Sequence, residues 1–281
     1  MRIVNLLLPA LLSVFLISCE DPIDVELEEG PVQLVVDGEV TTIIPVRVRL
    51  STTAAYFNTA ATPVVSNASV RLLEDGNTVD VLIENDTVPG QYIGSYVGEV
   101  GKTYQIEIDI PDGEAFEAST WKSRPETLRP IFELDSIYTT LFQQPPLPFG
   151  NYLNFRVQSD FVFPQNTAYR IRRKLNDSLF FQDFLFANTL EDLLSFQFRP
   201  VINSLLDSGD VVDLQFSSLS LRYREFLQVL AEQINPGGLF APPPAPIRGN
   251  VQEQGGDERV ALGYFNASAL LRVRYIETED S

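Results

Sequence analysis

Tyr104-Gln105-Ile106-Glu107-Ile108-Asp109-Ile110, closed by Pro111-Asp112-Gly113, decides the fold class of this chain. Four apolar side chains alternate with three polar ones. Successive side chains of a strand point to opposite faces, so the pattern buries Tyr104, Ile106, Ile108 and Ile110 and leaves Gln105, Glu107 and Asp109 in water. Pro-Asp-Gly then turns the chain back toward a strand at 115–120. The same period recurs on the N-terminal side. Val32, Leu34 and Val36 alternate with Gln33, Val35 and Asp37, and Val46, Val48 and Leu50 alternate with Arg47 and Arg49. Residues 68–73 run into Glu74-Asp75-Gly76-Asn77, the signal of a tight hairpin, with a strand at 79–83 after it and another at 92–97. About seven short strands in roughly ninety residues predict an immunoglobulin-like β-sandwich over 31–124, of the kind without a disulfide.

Arg124-Pro125 and Arg129-Pro130 mark a boundary, after which 125–281 reads as a second β-rich domain. Its strands are expected at 131–138, 152–157, 168–173, 211–216, 261–265 and 270–276. Gln143-Gln144-Pro145-Pro146-Leu147-Pro148 interrupts them as a rigid surface loop or a polyproline ligand. The phenylalanine-rich stretch 180–198 reads as strands with a short helical turn. One amphipathic helix is legible near 221–235. Tyr223, Phe226, Leu227, Leu230 and Ile234 recur at helical spacing, with Arg222, Arg224, Glu225, Gln228 and Glu232 on the other face. Asn235-Pro236-Gly237-Gly238 stops it. Core packing is the commoner use of such a stripe, docking the rarer one.

The 281 residues are 44% apolar, as a chain with sizeable cores requires, and carry 38 acidic against 20 basic side chains, a formal net charge of −18. That balance disfavours nucleic acid as a partner. Histidine is absent, which removes the commonest general base and transition-metal ligand. No nucleophile elbow, phosphate loop or dinucleotide fingerprint occurs. Acidic residues are plentiful, yet no pair stands out as a glycosidase-type couple. The chain therefore reads as non-enzymatic, with no cofactor and no metal. Asp207, Asp210 and Asp213 lack the spacing of a calcium-binding helix–loop–helix and read as a turn into the strand at 211.

Residues 1–18 have a single basic residue, Arg2, and then an apolar run too short to span a bilayer, interrupted by Pro9. Leu16-Ile17-Ser18 stands directly before Cys19, the one cysteine of the chain. That arrangement resembles the bacterial lipobox, which implies a signal peptide at 1–18 and acylation of Cys19. Acidic side chains at Glu20, Asp21, Asp24, Glu26, Glu28 and Glu29 make 19–30 an acidic tether. The resemblance to Bacteroidota lipoproteins implies an outer-membrane, lipid-anchored protein facing the cell exterior.

Further motifs carry a family resemblance. They are Phe226-Leu227, Asn235-Pro236-Gly237-Gly238, Phe240-Ala241-Pro242-Pro243-Pro244, Ile247-Arg248-Gly249-Asn250-Val251 and Leu262-Gly263-Tyr264-Phe265. With Cys19-Glu20, Pro22-Ile23 and Val25, they resemble a family of uncharacterised Bacteroidota outer-membrane lipoproteins, known only as a domain of unknown function numbered in the four-thousands. The resemblance implies a gene neighbour coding for a TonB-dependent receptor and hence an accessory or binding role at that receptor in nutrient uptake. An adhesion or envelope-structural module is the alternative. Phe149 and Phe240, in the proline-bearing loops 143–149 and 239–246, are the candidate partner-binding residues, set against the plainer reading that both loops only cover their own domain. Thr87, Ser136 and Ser178 resemble Bacteroidota O-glycosylation sites, each an Asp-Ser/Thr-apolar triplet. Physically, the C-terminal motif reads as an irregular crossing in which Asn250 satisfies buried backbone groups while Tyr264 and Phe265 close the core.

Overall fold

A computed structural model describes residues 30–55, 60–113, 116–142, 150–157, 162, 164–176, 178, 182–187, 206–234, 247–255 and 259–278. The alternating stretch forms β6 (Thr103–Ile110), with every second residue buried as its pattern requires. Its outer face is tied to both neighbours, β3 (Ser69–Glu74) and β7 (Ser119–Ser123). Arg71 pairs with Glu107 and, at 2.8 Å, with Asp109, while Lys122 reaches Glu107 at 3.4 Å. Half-exposed pairs of this kind contribute roughly 0–1 kcal/mol each, so they fix register more than they stabilise.

Outward from β6, the sheet takes in β4 (Asn77–Glu84), β5 (Gln91–Ile93), β2 (Arg47–Thr52), β1 (Leu34–Thr41), β15 (Val260–Ser268) and β14 (Arg248–Gln254). The order is β3-β4-β5-β2-β1-β15-β14-β7-β6, and β6 pairs back onto β3, so nine strands close into a barrel-like sheet. β8 (Glu126–Thr127) extends the β6 edge beyond β7. Val36, Val48, Leu50, Val70, Leu72, Ile106, Ile108, Trp121 and Phe265 fill the interior, each at most 2% exposed.

The strands expected to form an immunoglobulin-like sandwich over 31–124 thus lie in one sheet that closes on itself. Two of its staves, β14 and β15, come from beyond residue 124, so the strand pairing does not follow a division at 124/125. The physical reason is that alternation fixes which face of a strand is buried, and a sandwich and a barrel both bury one face. Closure is favoured because it leaves no unpaired edge in the ring.

Local chemistry sets the turns. Between β3 and β4, Asp75 and Gly76 both adopt positive φ, 49° and 87°, as a two-residue hairpin turn of the primed type demands. The strand expected at 92–97 stops at Ile93, because the Asp80 carboxylate takes the N–H groups of Ser95 and Tyr96 at 2.7 and 2.8 Å.

A second core lies among β9 (Leu134–Phe142), β10 (Gly150–Val157), β11 (Thr167–Leu175), β13 (Val211–Ser220) and β16 (Leu270–Ile276). β9 and β10 form a two-stranded sheet, and β11, β13 and β16 form a four-stranded one with β12 (Gln182–Ala187), in the order β12-β11-β13-β16. Phe132 sits among Tyr169 and Phe216 at ring-centre distances of 5.3 and 5.4 Å, favourable edge and tilted contacts. The barrel joins this sheet through Ala269, where β15 runs on into β16. The buried Ser218 hydroxyl secures the junction by donating to the Arg129 carbonyl at 2.6 Å and accepting from the Ala269 N–H at 3.0 Å. The single helix among the described residues, α1 (Leu221–Ile234), follows β13 directly, its first turn capped where the Ser220 hydroxyl accepts the Tyr223 N–H at 3.2 Å.

Candidate functional site

The outer wall of the barrel carries two cross-strand charge pairs. β1 and β2 set Asp37 opposite Arg49 and Glu39 opposite Arg47, and Arg47 and Glu39 form an ion pair. The four-stranded sheet carries more. Arg170, Arg172 and Lys174 alternate along the outward face of β11, while Tyr169 and Ile171 point into the second core. Arg172 and Lys174 lie opposite Gln215 and Asp213 of β13, which in turn lie opposite Arg272 and Arg274 of β16. Asp213 holds Arg274 through two hydrogen bonds, at 2.7 and 3.1 Å.

Helix α1 lies beside these walls. The stripe expected to pack into a core does not: no residue of the helix is fully buried, and Ile234 is 67% exposed. Tyr223, Phe226, Leu227 and Leu230 instead line a cleft of about 830 Å³. Val35, Asp37, Glu39, Arg47 and Arg49 of the barrel wall, Arg170 and Arg172 of β11, and Leu262, Gly263 and Tyr264 of β15 line it as well. The Tyr264 ring meets Tyr223 at 4.8 Å and Phe226 at 5.2 Å, giving the cleft an aromatic patch. A second cavity of about 580 Å³ is lined by Arg47, Arg172, Lys174, Arg272 and Arg274 with Asp213, and it shares Arg47 and Arg172 with the first.

The floor of the cleft depends on glycine. Gly263 has φ +82°, and a Cβ there would stand 2.0 Å from the Val36 carbonyl oxygen. Next to it, Asn250 performs the role read from the sequence. Its side chain accepts the Phe265 N–H and donates to the Phe265 carbonyl, both at 2.8 Å, and Phe265 is fully buried in the barrel. The Tyr264 hydroxyl donates to the buried Glu126 carboxylate at 2.6 Å. Burial, reinforced by the charge of Glu126, raises the Tyr264 pKa, and burial pushes Tyr223 up to about 12, so both stay neutral phenols at physiological pH.

Asp37 is an exposed residue of β1 that lines the cleft. The surrounding walls and then Glu39 raise its pKa above the ordinary 3.8, with Arg47, Arg49 and Arg170 pulling the other way. A raised folded pKa means that the ionised form costs stability. Below 3.8 both folded and unfolded states hold the proton, and the cost appears as pH rises through the folded value. Solvent at this exposed side chain mutes the cost, so Asp37→Asn is expected to raise the melting temperature only slightly at pH 7, with an advantage that shrinks as the solution is acidified. Melting curves across pH check this, and an advantage that grows in acid would reject it.

Cys19, Phe149 and Phe240 lie outside the described residues. Thr87 sits exposed in a turn, its hydroxyl donating to the Asn85 side-chain oxygen at 2.8 Å, and Ser178 is exposed as well. Ser136 is half-buried in β9, with its hydroxyl on Asp135 at 3.2 Å. The aspartates near 210 form a turn. Asp210 accepts the Asp207 N–H at 2.9 Å and the Asn176 amide at 2.8 Å. The sequence did carry a sign of the basic strip, in Arg47-x-Arg49, Arg170-x-Arg172 and Arg272-x-Arg274. Each pair has strand spacing and puts both guanidiniums on one face.

A family model matches residues 20–272, a span that takes in the barrel and the cleft and ends within β16 of the second sheet. The chain belongs to the DUF4249 family, a domain of unknown function. The resemblance read from the 226–265 motifs is met as far as a domain of unknown function numbered in the four-thousands, and the described motif residues have places in the fold: Phe226 and Leu227 on the cleft, Gly263 in its floor, Asn250 and Phe265 at the β14–β15 crossing, while 235–246 lies outside the described residues. Among curated proteins, none matches this DUF4249 chain.

Proposed function

We propose that the chain is a non-enzymatic binding lipoprotein, anchored by acyl chains on Cys19 at the outer-membrane surface, and a partner of a TonB-dependent receptor in nutrient uptake. The observation that carries the reading is the chemistry of the cleft. Its lining combines an apolar helix face with arginines and carboxylates, and among the described residues it contains no serine, threonine, cysteine, lysine or histidine. Asp37 and Glu39 rise from one strand, each opposite an arginine in register. A hydrolytic carboxylate couple flanks its substrate from two sides instead. Such a lining is suited to holding a molecule rather than transforming it.

The anchor supports the partnership. At about 0.8 kcal/mol per buried methylene, several acyl chains hold a strongly acidic body to a membrane without a basic patch. Confinement to the membrane plane then raises its effective concentration toward a receptor in the same plane. The test is affinity purification of the tagged chain from mild-detergent outer membranes of its native host, with Cys19→Ala alongside. The expected result is a receptor barrel with the wild type, and a soluble Cys19→Ala protein that recovers little of it. A wild-type preparation without any receptor barrel would overturn the partnership.

A further inference from the structure

We propose that the cleft and the basic strip leading out of it bind a small organic anion with an apolar or aromatic body, the headgroup on the arginines and the body against helix α1. This rests on reading the cleft as a binding site, and it adds the class of ligand.

Charge segregation is the first argument. The chain has 20 basic side chains against 38 acidic ones, yet the two cavities together gather seven of those cations against Asp37, Glu39 and Asp213. In register, β12 sets Asp183 opposite Arg172. Even so, the described lining keeps a local excess of positive charge in a strongly acidic protein. Screening over about 8 Å at physiological ionic strength mutes the distant carboxylates, so an anion in the cleft feels mainly the local arginines.

Convergence is the second. Arg47 and Arg49 come from the barrel and Arg170 from the second sheet, and all three line the same cleft as Asp37. Their charges therefore meet in one volume. Arginine presents a planar fork of donors that matches carboxylate, sulfate or phosphate oxygens. The mixed lining is the third argument: Phe226, Leu230 and Tyr264 give the cleft apolar surface beside its charged side chains. An anion without a body would leave that surface wet, and a neutral apolar molecule would offer the guanidinium donors no acceptor. A volume of about 830 Å³ lies inside the range of small-molecule sites, roughly 300–1,000 Å³.

The test uses two probes that differ by the anionic group, 8-anilinonaphthalene-1-sulfonate and the neutral N-phenyl-1-naphthylamine. They are titrated by fluorescence into the full chain carrying Cys19→Ala, so that acyl chains contribute no apolar surface. One saturable sulfonate site is expected. Arg49→Gln and Arg172→Gln should each weaken it about tenfold, and Asp37→Asn should tighten it roughly threefold, while the neutral probe changes little. Effects of opposite sign from opposite charge changes cannot come from a loss of fold. Equal binding of both probes, or a sulfonate affinity that ignores all three substitutions, would overturn the inference. The same variants separate it from the receptor partnership. Sulfonate binding with this charge dependence, alongside no receptor barrel in the wild-type purification, leaves the ligand site standing and removes only the partner.

Discussion

Gly263→Ala is expected to be among the most destabilising single substitutions in the chain, lowering stability by about 3 kcal/mol or more. Gly263 pairs with Val36 where β15 runs parallel to β1, and this pairing joins the C-terminal strands to the N-terminal ones in the closed sheet. Its φ of +82° is strained for any residue with a Cβ. An added Cβ would also meet the Val36 carbonyl oxygen at 2.0 Å and its nitrogen at 3.1 Å. Those are backbone atoms of a fully buried residue, so they cannot swing aside as a flexible side chain would. Gly76→Ala is the control. Gly76 has φ +87° but nothing within 4 Å of the added carbon, so it should lose only the conformational term of about 1–2 kcal/mol. Urea denaturation of both variants measures the difference. If Gly263→Ala proves no worse than Gly76→Ala, the close approach of β15 to β1 is not part of the folded protein.

That pairing also marks the limit of what the sequence discloses. β6, and the inward residues of β1 and β2, are legible because their alternation is local and strong. The helix expected near 221–235 is observed at Leu221–Ile234 for the same reason, a period of 3.6 sustained over four turns. Closure is not legible. β1 and β15 lie more than two hundred residues apart, and Val35 against Leu262 is one register among many that alternation allows. The helix shows a related gap. Periodicity identifies an apolar face without identifying what covers it, so Phe226 and Leu230 read as core and line a cleft. Of the site, Arg47, Arg49, Arg170, Arg172, Arg272 and Arg274 each look like ordinary outward residues of a strand. They become a site only when register and topology set β2, β11 and β16 around one space. Asn250 was readable because a polar side chain amid glycines before the final strands has few uses other than bonding to backbone.

Asn250→Ala should cost about 3 kcal/mol, because it strips partners from the buried N–H and carbonyl of Phe265. The register between β14 and β15 shifts between Arg248 and Gln252, and the ladder bonds skipped by that irregularity are supplied by the Asn250 amide. Its amide nitrogen also approaches Glu126 at 3.5 Å, beside the bond from the Tyr264 hydroxyl to the same carboxylate. Alanine leaves three polar groups short of a partner, and water reaches none of them easily, since Asn250, Glu126 and Phe265 are all buried. Asn250→Asp is the sharper test. It keeps the shape and the acceptor for the Phe265 N–H, but the ionised form loses the donor and sets a carboxylate against the Phe265 carbonyl and Glu126. At pH 7 it should be less stable than Asn250→Ala. As pH falls, the new carboxyl protonates, regains a donor for the Phe265 carbonyl and sheds its repulsion, so its deficit relative to wild type should shrink. Thermal or urea unfolding of all three proteins between pH 7 and pH 4 reads both effects. A loss under about 1 kcal/mol for Asn250→Ala, the net worth of one ordinary hydrogen bond, would mean that Phe265 has other partners. A deficit of Asn250→Asp that stays constant with pH would mean that the aspartate has turned out of the crossing into water.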